Sequence, residues 1–365
     1  MEERNLTIEQ AANVIRNANV LLVATGAGFS ADSGLPVYGD IANQPVYKQK
    51  GLTYKDICST STLQSNPDEF YGFFGHTANM YRDTEPHFGY DILLKWRNDI
   101  LNNEKNKEFT SLFHDTLKEK LNTIVPAYSS KLQEDIMNSI PGPFFSYTSN
   151  VDGHFRKKGF KESEIEEMHG CIDFWQCSDP ESCNSNDSWW WLPNEYRFEI
   201  DTNTMEAPNI KSSYIHKNIL PESDNPTGFH RDNEENFGLK SFIMNHPICI
   251  HCGNQARPNI VMFNDDRFVD GIHTSHYLEW EQSVNDLQDN ANIVILEIGC
   301  GMSVPSIRVH TEQLLRDWKS SSLIRINPID TELNFIDKTS ENIDRFIPIT
   351  GNGLECLNEI NNKLF

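Results

Sequence analysis

The stretch Asn19-Val20-Leu21-Leu22-Val23-Ala24-Thr25 is a nearly unbroken apolar run that ends on Gly26-Ala27-Gly28. No other feature constrains the fold as tightly. A strand that is apolar on both faces must be covered on both, which is the condition of a parallel sheet flanked by helices. Similar runs recur at Phe144–Tyr147, Ile293–Ile298 and Leu323–Ile326, and helical patterns stand at Tyr277–Leu287 and Ile307–Trp318. Strand and helix in alternation predict a doubly wound α/β sheet. Ahead of the first run, Thr7 and Gln10 have capping-box spacing, and Ile8, Ala11, Ala12 and Ile15 form an apolar stripe. The pattern predicts a helix opening at Thr7.

Two regions break the alternation. Residues 45–140 read mostly as helices, clearest over Glu69–Tyr81 and Tyr90–Ile100, and form a helical excursion. Residues 178–247 are rich in Asn, Asp, Ser and Pro, show little periodicity and carry a net charge of −7. They read as an insertion of loops and short elements.

Composition excludes some functions. With 31 basic against 53 acidic side chains, the net charge of −22 argues against a nucleic-acid binder, which needs a concentrated basic face. No apolar stretch approaches the roughly 20 residues of a membrane span. The start, MEERNLTIEQ, lacks the basic-then-apolar order of a secretory signal. The expectation is a cytoplasmic protein whose eight cysteines serve metal or chemistry rather than disulfides.

Gly26-Ala27-Gly28-Phe29-Ser30-Ala31 matches G-x-G-x-x-G/A at a strand end. Glycines there permit a tight turn and close approach of backbone N–H groups to a pyrophosphate. The ordinary dinucleotide fingerprint also wants an acid ending a second strand about 20 residues on. The chain instead runs into Asp32-Ser33-Gly34-Leu35-Pro36-Val37-Tyr38-Gly39-Asp40. A second polar cluster, Thr148-Ser149-Asn150-Val151-Asp152-Gly153, follows the run at Phe144–Tyr147. Ligands of open α/β sheets bind at such strand ends, although Asn and Asp are also good helix caps. His169, beside Gly170, has the residue type of a general base near neutral pH.

Four cysteines fall into two pairs, Cys177 with Cys183 and Cys249 with Cys252. The second, Cys249-Ile250-His251-Cys252-Gly253, has the spacing of a zinc knuckle. The first pair is looser, and 65 residues (184–248) separate the two pairs. The reading is a closed structural site for one Zn2+, which holds structure and does no chemistry. Buried free thiols, or three cysteines completed by His246 or His251, are the alternatives. Cys58, Cys171, Cys300 and Cys356 read as buried residues, and Trp189-Trp190-Trp191 as packing on the zinc module.

In order, the chain presents GAGFSADSGLP, TSNVDGHF, a His-Gly pair, two cysteine pairs, ARPNIVMF, EIGCGMSVP and RINP. This constellation resembles the sirtuin family of NAD-dependent protein deacylases, from about Asn19 to the C-terminus, and within it a bacterial-type branch. The resemblance implies a Rossmann-like doubly wound parallel sheet with a smaller zinc-binding module and the helical insertion. Residues 1–170 and 253–365 would form the NAD-binding domain, and 171–252 the zinc-binding module with the insertion 184–248. Gly26, Ala27, Gly28, Ser30, Gly34 and Tyr38 would hold NAD. Ser149, Asn150 and Asp152 would meet its nicotinamide end, with Asn150 and His169 catalytic and His169 the general base. Gly299, Cys300, Gly301 and Asn327 would line the adenosine. Val261, Met262 and Phe263 would pair with an extended substrate peptide. The implied reaction transfers the acyl group of an acyl-lysine protein or peptide to ADP-ribose and releases nicotinamide.

The chain departs from the family pattern at several positions. Val37-Tyr38-Gly39 stands where the family reads Asp-Phe-Arg, leaving Arg82 as a candidate replacement cation. Ser149 replaces a glutamine, Asn264 a glycine and Gly301 a serine. An NAD glycohydrolase or ADP-ribosyltransferase using the same pocket is the alternative. Acyl-chain preference and oligomeric state are not written in the sequence.

Overall fold

The computed structural model describes residues 2–37, 40, 44–124, 140–183, 189–213, 238–269 and 272–364. Its strands are β1 Val20–Thr25, β2 Phe144–Thr148, β3 Ile165–Glu167, β4 Gly170–Cys177, β5 Trp189–Trp191, β6 Ala256–Ile260, β7 Ile293–Ile298, β8 Ser321–Asn327 and β9 Phe346–Thr350. Six of them form one sheet in the order β3-β2-β1-β7-β8-β9, every pairing parallel. The chain thus builds outward from β1 in one direction, returns, and builds outward in the other. The reversal, where doubly wound sheets bind ligands, lies between β1 and β7.

Both central strands are buried along their whole length. Leu21 and Val23 of β1 face helices α1 (Glu2–Arg16), α4 (Phe88–Asn102) and α8 (Gly353–Leu364). The alternate residues Val20 and Leu22 face α5 (Lys107–Ile124), α6 (Ile272–Leu287) and α7 (Ser306–Asp317). A continuous apolar run is what such a two-sided cover demands.

Helix α1 starts at Glu2 rather than at Thr7. The tertiary cause is Arg4, which bonds Glu355 and Glu359 of α8 and so extends the helix past the capping-box position.

The smaller sheet is antiparallel in the order β5-β4-β6. It shares one apolar core with the first part of the helical excursion: the short helices from Pro45 to Ser65 and α3 (Pro67–Asp83). Helices α4 and α5 of the same excursion pack on the large sheet instead. The insertion is more than loops. Its Tyr196, Phe198, Met205 and Phe242 are buried against α3 and β4. Gly72 and Gly75 make room, since a Cβ at Gly72 would lie 2.1 Å from the Met205 carbonyl oxygen, and one at Gly75 would lie 2.6 Å from the Phe198 ring. Trp190 is buried in this core, whereas Trp191 is 44% exposed under the Arg156 guanidinium. Among the described residues, no helix is long and apolar enough to cross a membrane.

Candidate active site

The loop after β1 meets the loop after β7 at the reversal point. Helix α2 (Ala27–Ala31) begins there, and the Gly28 N–H donates to the Gly299 carbonyl at 2.9 Å. A Cβ on Gly26 would lie 2.8 Å from the Gly299 carbonyl oxygen, and one on Gly28 2.8 Å from the Gly299 Cα. Gly299 itself has φ +66. These three glycines are therefore required by the close approach of two loops. At Gly301 a Cβ would meet nothing within 4 Å, so local packing does not demand a glycine there. Gly34 ends the first loop at φ +88, and Tyr38 lies outside the described residues. The Asp32 carboxylate accepts the Leu354 N–H at 2.7 Å, tying the loop to the start of α8.

Behind the loop, Ser30 Oγ donates to Asp152 Oδ2 at 2.5 Å and accepts from Asn150 Nδ2 at 3.0 Å. The same Asn150 amide reaches the Gly26 carbonyl at 3.0 Å, and Tyr90 Oη stands 3.3 Å from Ser30 Oγ. Asp152 Oδ1 accepts the His154 N–H at 2.9 Å, so this carboxylate caps a short helix and also joins the network. Ala27 and Gly28 are part-exposed beside this network.

His169 stands at the joint between β3 and β4. Its carbonyl accepts the Val261 N–H at 3.0 Å, and its ring hydrogen-bonds the Ser149 backbone. Burial holds its pKa below the ordinary histidine value, partly offset by the Ser149 contact. A neutral imidazole that spends one nitrogen on Ser149 keeps the other as a base.

Cys300 and Asn327 are both buried. The Cys300 thiol packs with Ala24 and Ile307, so only its backbone can meet a ligand. Asn327 Nδ2 donates to the Cys300 carbonyl at 3.1 Å, bracing the loop after β7.

The four paired cysteines converge, with their sulfurs all within 4.8 Å of one another. Cys177 Sγ lies 3.6 Å from Cys252 Sγ, and Cys183 Sγ 3.7 Å from Cys249 Sγ. A tetrahedron with Zn–S bonds of about 2.3 Å has edges of about 3.8 Å, so the donor set fits that ion. The Asp179 and His251 N–H groups donate to the Cys177 and Cys249 sulfurs at 3.4 Å, contacts that favour thiolates. His246 bonds the Ala207 carbonyl at 2.7 Å and packs on Tyr71, outside the four-sulfur group.

The substrate edge differs from the sequence expectation. β6 ends at Ile260, before Val261, Met262 and Phe263. The amides of those three residues are already engaged: Val261 with the His169 carbonyl, Met262 with Asp265 at 3.2 Å, and Phe263 with the Cys58 carbonyl at 3.1 Å. A peptide pairing here would draw on carbonyl oxygens. Asn264 follows with φ +54, keeping the left-handed turn that a glycine would make.

Arg82 does not replace the missing loop arginine. It bonds Asp173 at 2.8 Å and backbone carbonyls of Leu192, Pro193, Asn194 and Tyr196, clamping the insertion. Asp32 is the one charged residue in the sequence from Gly26 to Val37. A pyrophosphate there would therefore rest on backbone N–H groups. Sequence reasoning missed His87 and Tyr90 beside Phe29 and Ser30. The Pro86-His87 pair at a helix start was the available signal.

A parallel sheet that reverses between β1 and β7, carrying polar loops at that point and joined to a four-cysteine module, defines a dinucleotide-type α/β protein. No family model matches the sequence. The chain is similar to the NAD-dependent protein deacetylase of Oceanobacillus iheyensis, 24% identical over 217 residues that span 59% of this chain and 69% of that protein. It is also similar to the NAD-dependent protein deacylase of Corynebacterium glutamicum, 21% identical over 338 residues and 92% of each chain. Among solved structures, a Sir2 homologue in complex with NAD shares its fold, with a TM-score of 0.51 at 15% identity, covering 98% of this chain and 93% of that one. A structure solved to study sirtuin substrate affinity gives the same TM-score of 0.51, covering 96% of each chain. The chain shares the fold of these sirtuin structures and is similar in sequence to NAD-dependent protein deacetylases and deacylases.

Proposed function

We propose that this protein is an NAD-dependent protein deacylase that takes acyl groups from lysine side chains. The observation that carries the reading is the Ser30–Asn150–Asp152 network at the carboxyl ends of β1 and β2, tied through the Asn150 amide to Gly26 at the sheet's reversal point. Its sequence relatives, named as NAD-dependent deacetylase and deacylase, support the same activity.

On this reading residues 1–170 and 253–365 bind NAD, and 171–252 form the zinc-binding module. NAD supplies a cleavable nicotinamide–ribose bond and a ribose hydroxyl that takes over the acyl group. Gly26, Ala27 and Gly28 form the turn that receives the pyrophosphate: the Gly26 and Gly28 amides are bonded to the Ile298 and Gly299 carbonyls, the Ala27 N–H at the start of α2 faces the ligand, and Gly34 with Tyr38 closes the loop. Asn150 and Asp152, held by Ser30, orient the nicotinamide end, with Ser149 beside them. His169 takes a ribose hydroxyl proton onto the ring nitrogen not used for Ser149. The Gly299–Cys300–Gly301 backbone lines the adenosine, and Asn327 meets its ribose. Cys177, Cys183, Cys249 and Cys252 hold one Zn2+ as a structural ion. Val261, Met262 and Phe263 present the acyl-lysine peptide.

One observation favours a second reading. The Phe263 amide is bonded within the chain, which narrows the peptide edge and would leave water or another nucleophile to act, as in an NAD glycohydrolase or ADP-ribosyltransferase. Incubation with NAD, with and without acyl-lysine peptides, separates the two. Peptide-dependent formation of nicotinamide and O-acyl-ADP-ribose supports deacylation. Nicotinamide release without peptide supports the second reading, and no turnover in either condition overturns both.

A further inference from the structure

His87 is the N-cap of α4 and is held from four sides. Its backbone N–H donates to Ser33 Oγ at 3.0 Å. The Gly89 N–H donates to His87 Nδ1 at 2.9 Å, which makes Nδ1 the acceptor and puts the ring proton on Nε2. That Nε2–H donates to the Phe29 carbonyl at 2.9 Å. The Phe29 ring meets the imidazole edge-on, 4.6 Å between centroids at 87°. Gly89 fits this arrangement alone, since a Cβ there would lie 2.4 Å from His87 Cε1 and 2.7 Å from Nδ1. Phe29 and Ser33 both belong to the loop that follows β1, whereas α4 is fixed on the large sheet through Leu93 and Trp96.

We infer that His87 is a positioning residue, holding the Gly26–Gly34 loop in the shape that receives the dinucleotide. The inference rests on the NAD reading above. His87 spends one ring nitrogen as donor and the other as acceptor, an arrangement open only to the neutral ring. A second proton would set Nδ1–H against the Gly89 N–H and break that contact, leaving only the Nε2–H bond to Phe29.

The surroundings also favour the neutral form. Burial lowers the His87 pKa, with His154 and Lys158, from the segment after β2, acting in the same direction. The Phe29 carbonyl and Asp32, from the loop itself, oppose them. On its own helix the Tyr90 ring packs 5.0 Å away. The grip is complete above the lowered pKa and loses the Gly89 contact as pH falls through it.

The test is calorimetric binding of ADP-ribose by the full chain between pH 8 and pH 5.5, for wild type and His87→Asn. Asparagine keeps an acceptor for the Gly89 N–H but is too short for the Phe29 carbonyl. The variant should bind about five- to tenfold more weakly at pH 8, the worth of one or two hydrogen bonds. Its affinity should also lose the wild type's decline at acid pH. In turnover, KM for NAD should rise more than kcat falls. Nitrogen NMR of histidine-labelled protein should find the Nε2–H tautomer at pH 8 whether or not ligand is present. Should His87→Asn fail to fold, Ser33→Ala, which removes one of the same contacts, should weaken binding about threefold. Unchanged affinity in the folded variant overturns the inference and leaves the NAD reading standing. Wild type that binds no ADP-ribose at any pH overturns both.

Discussion

Glu297 of β7 and Arg325 of β8 are cross-strand partners in the parallel sheet, joined from Nε to Oε1 at 2.7 Å and from Nη2 to Oε2 at 2.9 Å. Their side chains are 1% and 0% exposed. Arg325 also reaches Glu312 of α7 at 2.9 Å, and Glu312 accepts the N–H groups of Asn334 and Phe335. Arg308, also buried, lies 3.9 Å from Glu297, so two cations balance two carboxylates and Glu312 fixes the loop after β8. Arg325→Met should cost about 3–5 kcal/mol, because it leaves two buried carboxylates to the single cation Arg308. Replacing Glu297, Glu312, Arg308 and Arg325 together by apolar residues should cost less than the single change, since no buried charge is then left unpaired. Urea denaturation of both variants checks the order, and a single variant as stable as wild type would refute the account.

Ser30 stands between Asn150 and Asp152 and is 4% exposed. Ser30→Ala leaves the Asp152 carboxylate without its hydroxyl donor and frees the Asn150 amide. The expected loss in kcat/KM is about ten- to a hundredfold, for one charge-assisted hydrogen bond and the order it imposes. Stability should fall by about 1–2 kcal/mol. Steady-state kinetics beside thermal unfolding separate the two effects. Wild-type kcat/KM in this variant would remove the network from the site.

His169→Ala should abolish turnover while the protein stays folded, checked by circular dichroism. Burial lowers the pKa of His169, so the free base persists below the ordinary histidine range. Activity should therefore hold from neutral pH down past about pH 6.5 and fall only below it. The sign for stability follows the same shift. The unfolded chain protonates first on acidification, so this group's contribution is complete above about pH 6.5 and declines toward the lowered folded value. A kcat profile with its acid limb above pH 7 would exclude His169 as the base.

The sheet was legible because each of its central strands announces itself as a continuous apolar run, a local property. The insertion was not. Phe198, Met205 and Phe242 find their place only because Gly72 and Gly75 hollow out α3 far away in sequence. Arg82 and Asn264 teach the same point at the site. A lone arginine near a glycine loop suggests a phosphate ligand until five distant partners claim it, whereas an asparagine in a glycine's place keeps the backbone shape. Glu297 and Arg325 are single charges inside apolar runs, and only the parallel register of β7 with β8 pairs them.

Metal analysis should find about one zinc per chain. Cys249→Ser should lower the melting temperature and release the ion, and a strong chelator should do the same to wild type. The melted region should be the shared core of β4, β6 and α3, since Cys177, Cys183 and Cys249 are all buried in it. Hydrogen exchange reports this directly: protection should fall at Phe70–Phe74 and Ala256–Ile260 while β1 and β7 stay protected. A metal-free protein with native stability would refute the site.

Asn264 holds φ +54 at the turn beside the peptide edge. Asparagine tolerates the left-handed region, glycine adopts it freely, and a β-branched residue is strained there. Asn264→Gly should therefore be neutral in stability to within about 0.5 kcal/mol, whereas Asn264→Val should cost about 1–2 kcal/mol. The turn also carries Asp265, whose carboxylate bonds the Met262 N–H at 3.2 Å and Arg257 Nη1 at 2.8 Å, so shifting it disturbs the edge next to His169 rather than the dinucleotide loop. KM for an acyl-lysine peptide should rise in the valine variant while KM for NAD stays near wild type. Equal rises in both constants would mean that the turn serves general stability, and unchanged peptide KM would place the substrate elsewhere.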